Sequence, residues 1–171
     1  MRNSRMPARI FIITGQTGAG KTTYAIDLAA KTGAIRFSID DWMKALFWMD
    51  SPSPPDIDWS MARIARCEHQ IQQQIRQLAE RDISSVLDLG FTQAEHRNAF
   101  ARFAGQIDCP AELHWIDIGK EERWRRVQQR NREKGVSFAM EVNEDMFAFM
   151  EGRWEAPCDK EMKWLEGKRI R

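Results

Sequence analysis

The stretch Ile10-Phe-Ile-Ile-Thr-Gly-Gln-Thr-Gly-Ala-Gly-Lys-Thr22 decides the fold. Its first four residues form a continuous apolar run rather than an alternating one, which is how a strand reads when both of its faces are covered in a parallel sheet. Its last eight, Gly15 to Thr22, satisfy G-x-x-x-x-G-K-[ST] without a mismatch and open a helical pattern over residues 21–31. A strand, a glycine-rich turn and a helix N-terminus in immediate succession form a phosphate cradle. The glycines let backbone N–H groups wrap the anion, and the first turn of the helix adds its positive dipole end. Gly15, Gln16, Thr17, Gly18, Ala19 and Gly20 are expected to supply the cradle, and Thr23 a further amide in the helix's first turn. The Lys21 ammonium should reach the outer phosphates of a nucleoside triphosphate, and the Thr22 hydroxyl should take one position on Mg²⁺.

Outward from this loop, further apolar runs recur at Ala34–Ile39, Ser85–Leu89 and Glu112–Ile118. Helical patterns lie between them. Residues 21–31 place Ala25, Leu28 and Ala29 on one face. Trp59–Arg81 carries Met61, Ile64, Ile71, Ile75 and Leu78 at three- and four-residue steps, and residues 93–104 carry Ala99, Phe100 and Phe103 in the same way. Strands alternating with helices predict right-handed crossovers and an α/β fold with a central parallel sheet and helices on both faces. With 171 residues, one domain spanning 1–171 is expected. The proline-rich stretch at residues 50–56 is then an internal loop, because the helix after it must pack back on the same sheet.

Composition narrows the function. Lys plus Arg is 26 against 25 for Asp plus Glu, so no global charge attracts a polyanion or a membrane surface. Cys67, Cys109 and Cys158 are far apart and odd in number, which suggests neither a disulfide framework nor a zinc site. The apolar run behind the basic N-terminus is too short for a signal sequence or a membrane span, and a soluble, cytoplasmic protein is expected. A GTPase would need an Asn-Lys-x-Asp element, which is absent, and in Asp88-Leu-Gly-Phe91 the glycine falls one place early for D-x-x-G. No Leu-Ser-Gly-Gly-Gln transporter element is present, so a small phosphotransferase remains.

Four stretches in order, Gly15–Thr22, Phe37-Ser-Ile-Asp-Asp-Trp-Met43, Val86-Leu-Asp-Leu-Gly-Phe91 and Gln129-Arg-Asn-Arg-Glu-Lys-Gly135, resemble the small P-loop kinases. That group includes polynucleotide 5′-kinases, chloramphenicol phosphotransferase and zeta toxins, and the nearest likeness is to its AAA-domain ATP-binding predicted kinases. The resemblance runs over residues 8–157 and implies the three-layer P-loop NTPase fold with a helical lid at about 126–142. It implies that Asp40, read as ending the second strand, accepts the proton of the attacking hydroxyl. Asp41 is then left to cap a helix starting at Trp42. Asp88 sits inside an apolar run, where a carboxylate needs a cation or donor to face; the resemblance gives it a Walker-B-like role, holding Mg²⁺ beside Thr22. Arg123, Arg125, Arg126, Arg130, Arg132 and Lys134 face only Glu133 in residues 123–134. The resemblance makes this run part of the lid, with Arg130 as the first choice for clamping the migrating phosphoryl group, Arg126 the second and Arg132 the third.

The expectation is an ATP- and Mg²⁺-dependent kinase acting on a small hydroxyl-bearing molecule, with Lys21, Asp40, Arg130 and Arg126 as its catalytic groups. A non-catalytic ATP-binding regulator and a nucleic-acid 5′-end kinase are the alternatives. Polynucleotide kinases carry an arginine where this chain has Met43. Residues 37–60 also hold Asp40, Asp41, Asp50, Asp56 and Asp58 against Lys44 alone, a poor surface for a polyanion. Trp42, Trp48 and Trp59 flank the proline loop either as an apolar acceptor pocket or as core filling. Arg153–Pro157 falls where related kinases cover the adenine, and His69, His96 and His114 lack ligand spacing.

Overall fold

The computed structural model describes residues 7–54, 56–134 and 141–171. Five parallel strands form one sheet: β1 (Ile10–Thr14), β2 (Ile35–Ser38), β3 (Ser85–Asp88), β4 (Ala111–Ile116) and β5 (Lys168–Ile170), in the order β2-β3-β1-β4-β5. Successive side chains on β1 go to opposite faces and both faces are covered, which explains the unbroken apolar run. Ile10 and Ile12 join one core with Phe37, Leu87, Leu113, Cys67, Ile71 and Ile75. Phe11 and Ile13 join the other with Val86, Ala25 and Ile116.

The helices are α1 (Lys21–Thr32), α2 (Ile39–Leu46), α3 (Ile57–Ala79), α4 (Ala94–Gln106), α5 (Lys120–Glu133), α6 (Glu144–Gly152) and α7 (Asp159–Trp164), of which α1, α3 and α4 follow the predicted pattern with shifted ends. Cys67, Ile71 and Ile75 of α3 pack on the sheet after the proline stretch, and the Asp56 carboxylate caps α3 by accepting from Trp59 N at 3.1 Å. The expected cap of the second helix is corrected. α2 begins at Ile39, not Trp42, and its N-cap is Ser38, whose Oγ accepts from Asp41 N. Asp40 therefore lies in the first turn of α2 rather than at the end of β2. Ile39 is buried at 7 % exposure, and packing it into the core draws the helix start forward.

The edge strand β5 and helices α6 and α7 were not foreseen. β5 is three residues long and carries Lys168 and Arg169, a short charged edge with no apolar run to announce it. The expected loop at Val136–Phe138 lies outside the described residues, as do residues 135–140 of the expected lid at about 126–142. The ends flanking it are joined by Asn131, whose side chain donates to Val142 O (2.8 Å) and accepts from Val142 N (3.2 Å). β1 has β3 on one side and β4 on the other, so the chain leaves the strand ends in opposite directions there. In open α/β sheets ligands bind at this switch point.

Candidate functional site

The turn from β1 to α1 has the shape that the octet demands. Gly15 and Gly18 have φ of 152° and 79°. A Cβ on Gly15 would come within 2.6 Å of Ile116 O, and one on Gly18 within 2.5 Å of Arg123 O, so both positions exclude side chains by contact as well as by backbone conformation. α1 has no side-chain cap and no acid in its first turn. Three other helices are capped by their own Ser38, Asp56 or Asn143, and α4 borrows the Glu155 carboxylate, which accepts from Ala94 N at 2.8 Å. The amides of Lys21, Thr22 and Thr23 thus keep their capacity for an anion. Lys21 Nζ donates to Gln16 O at 3.0 Å, folded back over the loop. Burial pushes Lys21 down to about 8, against the attraction of Asp88 and Asp40.

Three carboxylates and two more cations meet the loop at its rim. Asp88, the last residue of β3, is buried and accepts from Arg36 Nη2 at 2.9 Å, while Arg36 Nη1 donates to Asp41 at the same distance. Asp41 is therefore a partner of Arg36 as well as a donor to Ser38, and not a cap. Asp40 forms no ion pair among the described residues. Loss of hydration pushes its carboxyl above the ordinary range, with Asp88 adding to the rise and Lys21 and Arg130 opposing it. Arg130 acts on both Lys21 and Asp40, and its Nε is buried without a hydrogen-bond partner among the described residues. That orphaned donor beside an open cradle fits a polyphosphate. A metal fits as well, since Thr22 opens α1 beside Lys21, which feels the Asp88 charge, and hard oxygen ligands suit Mg²⁺. Among the described residues no three His, Cys, Asp or Glu side chains converge as a metal cage.

Arg126 is placed differently from Arg130. Its Nη1 donates to Ala19 O in the loop at 3.2 Å and its Nε to Glu122 at 2.7 Å. Arg132 is exposed on the last turn of α5. The three tryptophans go to separate partners: Trp42 packs edge-on against Phe37, Trp59 carries the Arg63 guanidinium at 3.7 Å from its ring, and Trp48 is exposed. In the 153–157 segment, Glu155 caps α4 and Trp154 lies under Arg97.

Two supports behind the loop escaped the sequence reading. Arg123, 2 % exposed, donates through both Nη atoms to Glu151 of α6 (2.6 and 2.8 Å), its Nη1 also donates to Thr17 O (3.2 Å), and Gln16 Nε2 donates to Glu151 as well. Arg97, fully buried, pairs with Glu161 through Nε and Nη2 and reaches Phe91 O, which also accepts from Thr14 Oγ1 at 2.6 Å. These contacts fix the turn after Asp88 against the end of β1. Neither arginine has a local sequence signal, because their partners lie 28 and 64 residues away.

The chain matches the AAA domain family over residues 10–157. No curated protein is similar enough in sequence to count as a relative. Among solved structures it is similar to Chaetomium thermophilum Kti12 in complex with ADP-AlF3, at 16 % identity and TM-score 0.61, with 94 % of this chain and 88 % of that one covered. It is also similar to a sugar kinase from Janibacter sp., at 17 % identity and TM-score 0.63 over 96 % and 85 % of the two chains. A gluconokinase from Sinorhizobium meliloti has 14 % identity and TM-score 0.63 over 96 % and 82 %. At such identities the likeness establishes the fold, and the family match covers most of the sequence. The chain belongs to the AAA domain family and has the fold of the small P-loop kinases.

Proposed function

We propose that the protein is an ATP- and Mg²⁺-dependent phosphotransferase that moves the γ-phosphoryl group of ATP to a hydroxyl of a small molecule, with the whole chain acting as one kinase domain in the cytoplasm. The observation that carries this reading is the sorting of the rim carboxylates. Arg36 engages Asp41 and Asp88, which leaves Asp40 unpaired within electrostatic reach of Lys21 and Arg130. A regulator that only holds nucleotide needs no such carboxylate.

In this reading residues 15–20 and the amides of Lys21, Thr22 and Thr23 cradle the β- and γ-phosphates, and Lys21 neutralises them. Thr22 and Asp88 would hold Mg²⁺, which when bound supplies charge neutralisation between the phosphates. Asp40 takes the proton of the acceptor hydroxyl as that oxygen attacks, a role worth typically ~10²–10⁴ in rate. Arg130 meets the charge that gathers on the migrating phosphoryl oxygens, and Arg126 ties α5 to the loop through Ala19 O. The acidic surroundings of Asp40 favour a neutral or cationic acceptor over a nucleic-acid end, and two structures of the same fold are named as a sugar kinase and a gluconokinase, which supports a sugar-type hydroxyl.

The test is a screen of sugars, nucleosides, amino alcohols and antibiotics for ATP consumption, with mass spectrometry for a product heavier by one phosphoryl group. A phosphorylated product that disappears with Asp40→Asn supports the kinase. Tight ATP binding with no product across the panel, and no effect of Asp40→Asn on what turnover there is, favours the regulator.

A further inference from the structure

Arg36 stands on β2, and the sheet register explains its reach. Ser38 pairs with Asp88 and Arg36 with Val86, so Arg36 sits two residues back from Asp88's neighbour and on the same face of the sheet. From there Nη2 bonds Asp88 Oδ2 and Nη1 bonds Asp41 Oδ2, both at 2.9 Å. The two arms differ in weight. The Asp88 carboxylate is 8 % exposed and the Arg36 side chain 18 %, whereas Asp41 is 66 % exposed, so solvent screens the second contact and spares the first. Asp88 Oδ1 carries no hydrogen bond among the described residues.

The geometry points to Arg36 as a positioning residue of the metal site: it fixes Asp88 by one carboxylate oxygen so that the other is presented to Mg²⁺, and with its second nitrogen it draws Asp41 away from the acceptor rim. This rests on the phosphotransferase reading above. The planar fork is what permits the double hold, since a guanidinium can engage two carboxylates at once in fixed directions, whereas a lysine ammonium is a single point charge on a flexible stem. The inference therefore separates geometry from charge, because Arg36→Lys keeps the cation and loses the fork.

Calorimetric titration of ADP at stepped Mg²⁺ concentrations tests it in the parent, Arg36→Lys, Arg36→Gln and Lys21→Met proteins. Groups that orient a metal ligand typically cost 10–100-fold in metal affinity when lost, so Arg36→Lys should need roughly 10–100-fold more Mg²⁺ for the same gain in ADP affinity. Its ADP affinity without Mg²⁺ should match the parent's. The same Mg²⁺ dependence in the parent and both Arg36 variants overturns the inference. So does a tighter Mg²⁺ response in Arg36→Gln with Arg36→Lys unchanged, which would make Arg36 a competing charge and nothing more. A parent that binds no nucleotide, or a Lys21→Met protein that binds as well as the parent, overturns the phosphotransferase reading and this inference with it. A measurement on the unaltered protein covers the case of variants that fail to fold. The Arg36 guanidinium NMR signals, held distinct by two carboxylate partners, should persist in the Mg²⁺–ADP complex, and their collapse to the pattern of a free arginine would refute the positioning role.

Discussion

Glu151 offers a severe test of how the phosphate loop is held. In Glu151→Gln the carboxylate that receives both Arg123 Nη atoms and the Gln16 amide becomes a neutral group of the same shape. Arg123 is 2 % exposed and cannot turn to water, so its charge is left without a counter-ion. Removing one partner of a buried pair costs about 3–5 kcal/mol, and because Glu151 is 17 % exposed the lower end applies, about 3 kcal/mol. For a chain of this length each kcal/mol moves Tm by about 2–4 °C, so the variant should melt roughly 6–12 °C below the parent. The effect should extend to ligand binding. Arg123 also supports Thr17 O, and Gly18 packs against the Arg123 backbone, so a loosened Arg123 releases the loop itself. The rise in Tm produced by saturating ADP should therefore be smaller in Glu151→Gln than in the parent. The double variant Arg123→Met/Glu151→Met removes both charges and should be more stable than either single change. Thermal melts with and without ADP measure all of this. Single variants melting within ~2 °C of the parent, or a double variant whose loss equals the sum of the two, would refute the buried-pair account.

Lys21, held at about 8 by burial in the free protein, should return towards its ordinary value of ~10.4 beside phosphates. Nucleotide affinity is then full below pH ~8 and falls by up to about tenfold per pH unit above it, a slope that Lys21→Met should lack in calorimetric titrations. Asp40→Asn should fold and bind ATP like the parent yet transfer phosphate at least ~100-fold more slowly in a single-turnover assay. Because burial raises the Asp40 carboxyl and a base must be ionised to act, activity should be lost, as pH falls, at a higher pH than an ordinary aspartate would give; a pH–rate profile with no limb above that range would count against it. Arg130→Gln should lower kcat far more than it raises KM for ATP, since its buried Nε awaits charge that develops in the transition state; a change confined to KM would assign it to ground-state binding.

The parts legible in the sequence are those whose physics is local. Strand β1 and the glycine octet lie within thirteen residues, and the apolar run, the glycine turn and the helix start all follow from neighbours in the chain. The helix cap was legible but misassigned. Ser38-Ile-Asp-Asp41 is a Ser-x-x-Asp pattern, in which the serine oxygen accepts from the third amide onward, but serine and aspartate cap about equally well. Only the burial of Ile39 decides that the helix begins before the aspartates. Arg36, Arg123 and Arg97 look in sequence like surface charges on amphipathic elements. Their partners come from other strands and helices, so no window of sequence could have shown that Arg97 and Arg123 lie buried against carboxylates.

The same long-range pairs explain how a charge-balanced site can remain ready for a polyanion. Lys21, Arg36 and Arg130 are set against Asp40, Asp41 and Asp88, so the cluster is neutral in sum and has no general attraction for phosphate. Neutrality in sum is not neutrality at each place. Arg36 is spent on Asp41 and Asp88, and Arg123, which could have added to the positive field, is spent on Glu151. What faces the cradle is the uncapped start of α1, the Lys21 ammonium and the Arg130 Nε, which has no hydrogen-bond partner among the described residues, while Asp40 forms no ion pair among them. Pairing Arg36 with Asp41 and Asp88, and Arg123 with Glu151, would give the proposed phosphotransferase a direction, phosphate at the helix end and hydroxyl at the carboxylate, and this polarity rather than net charge is what a transfer between the two requires.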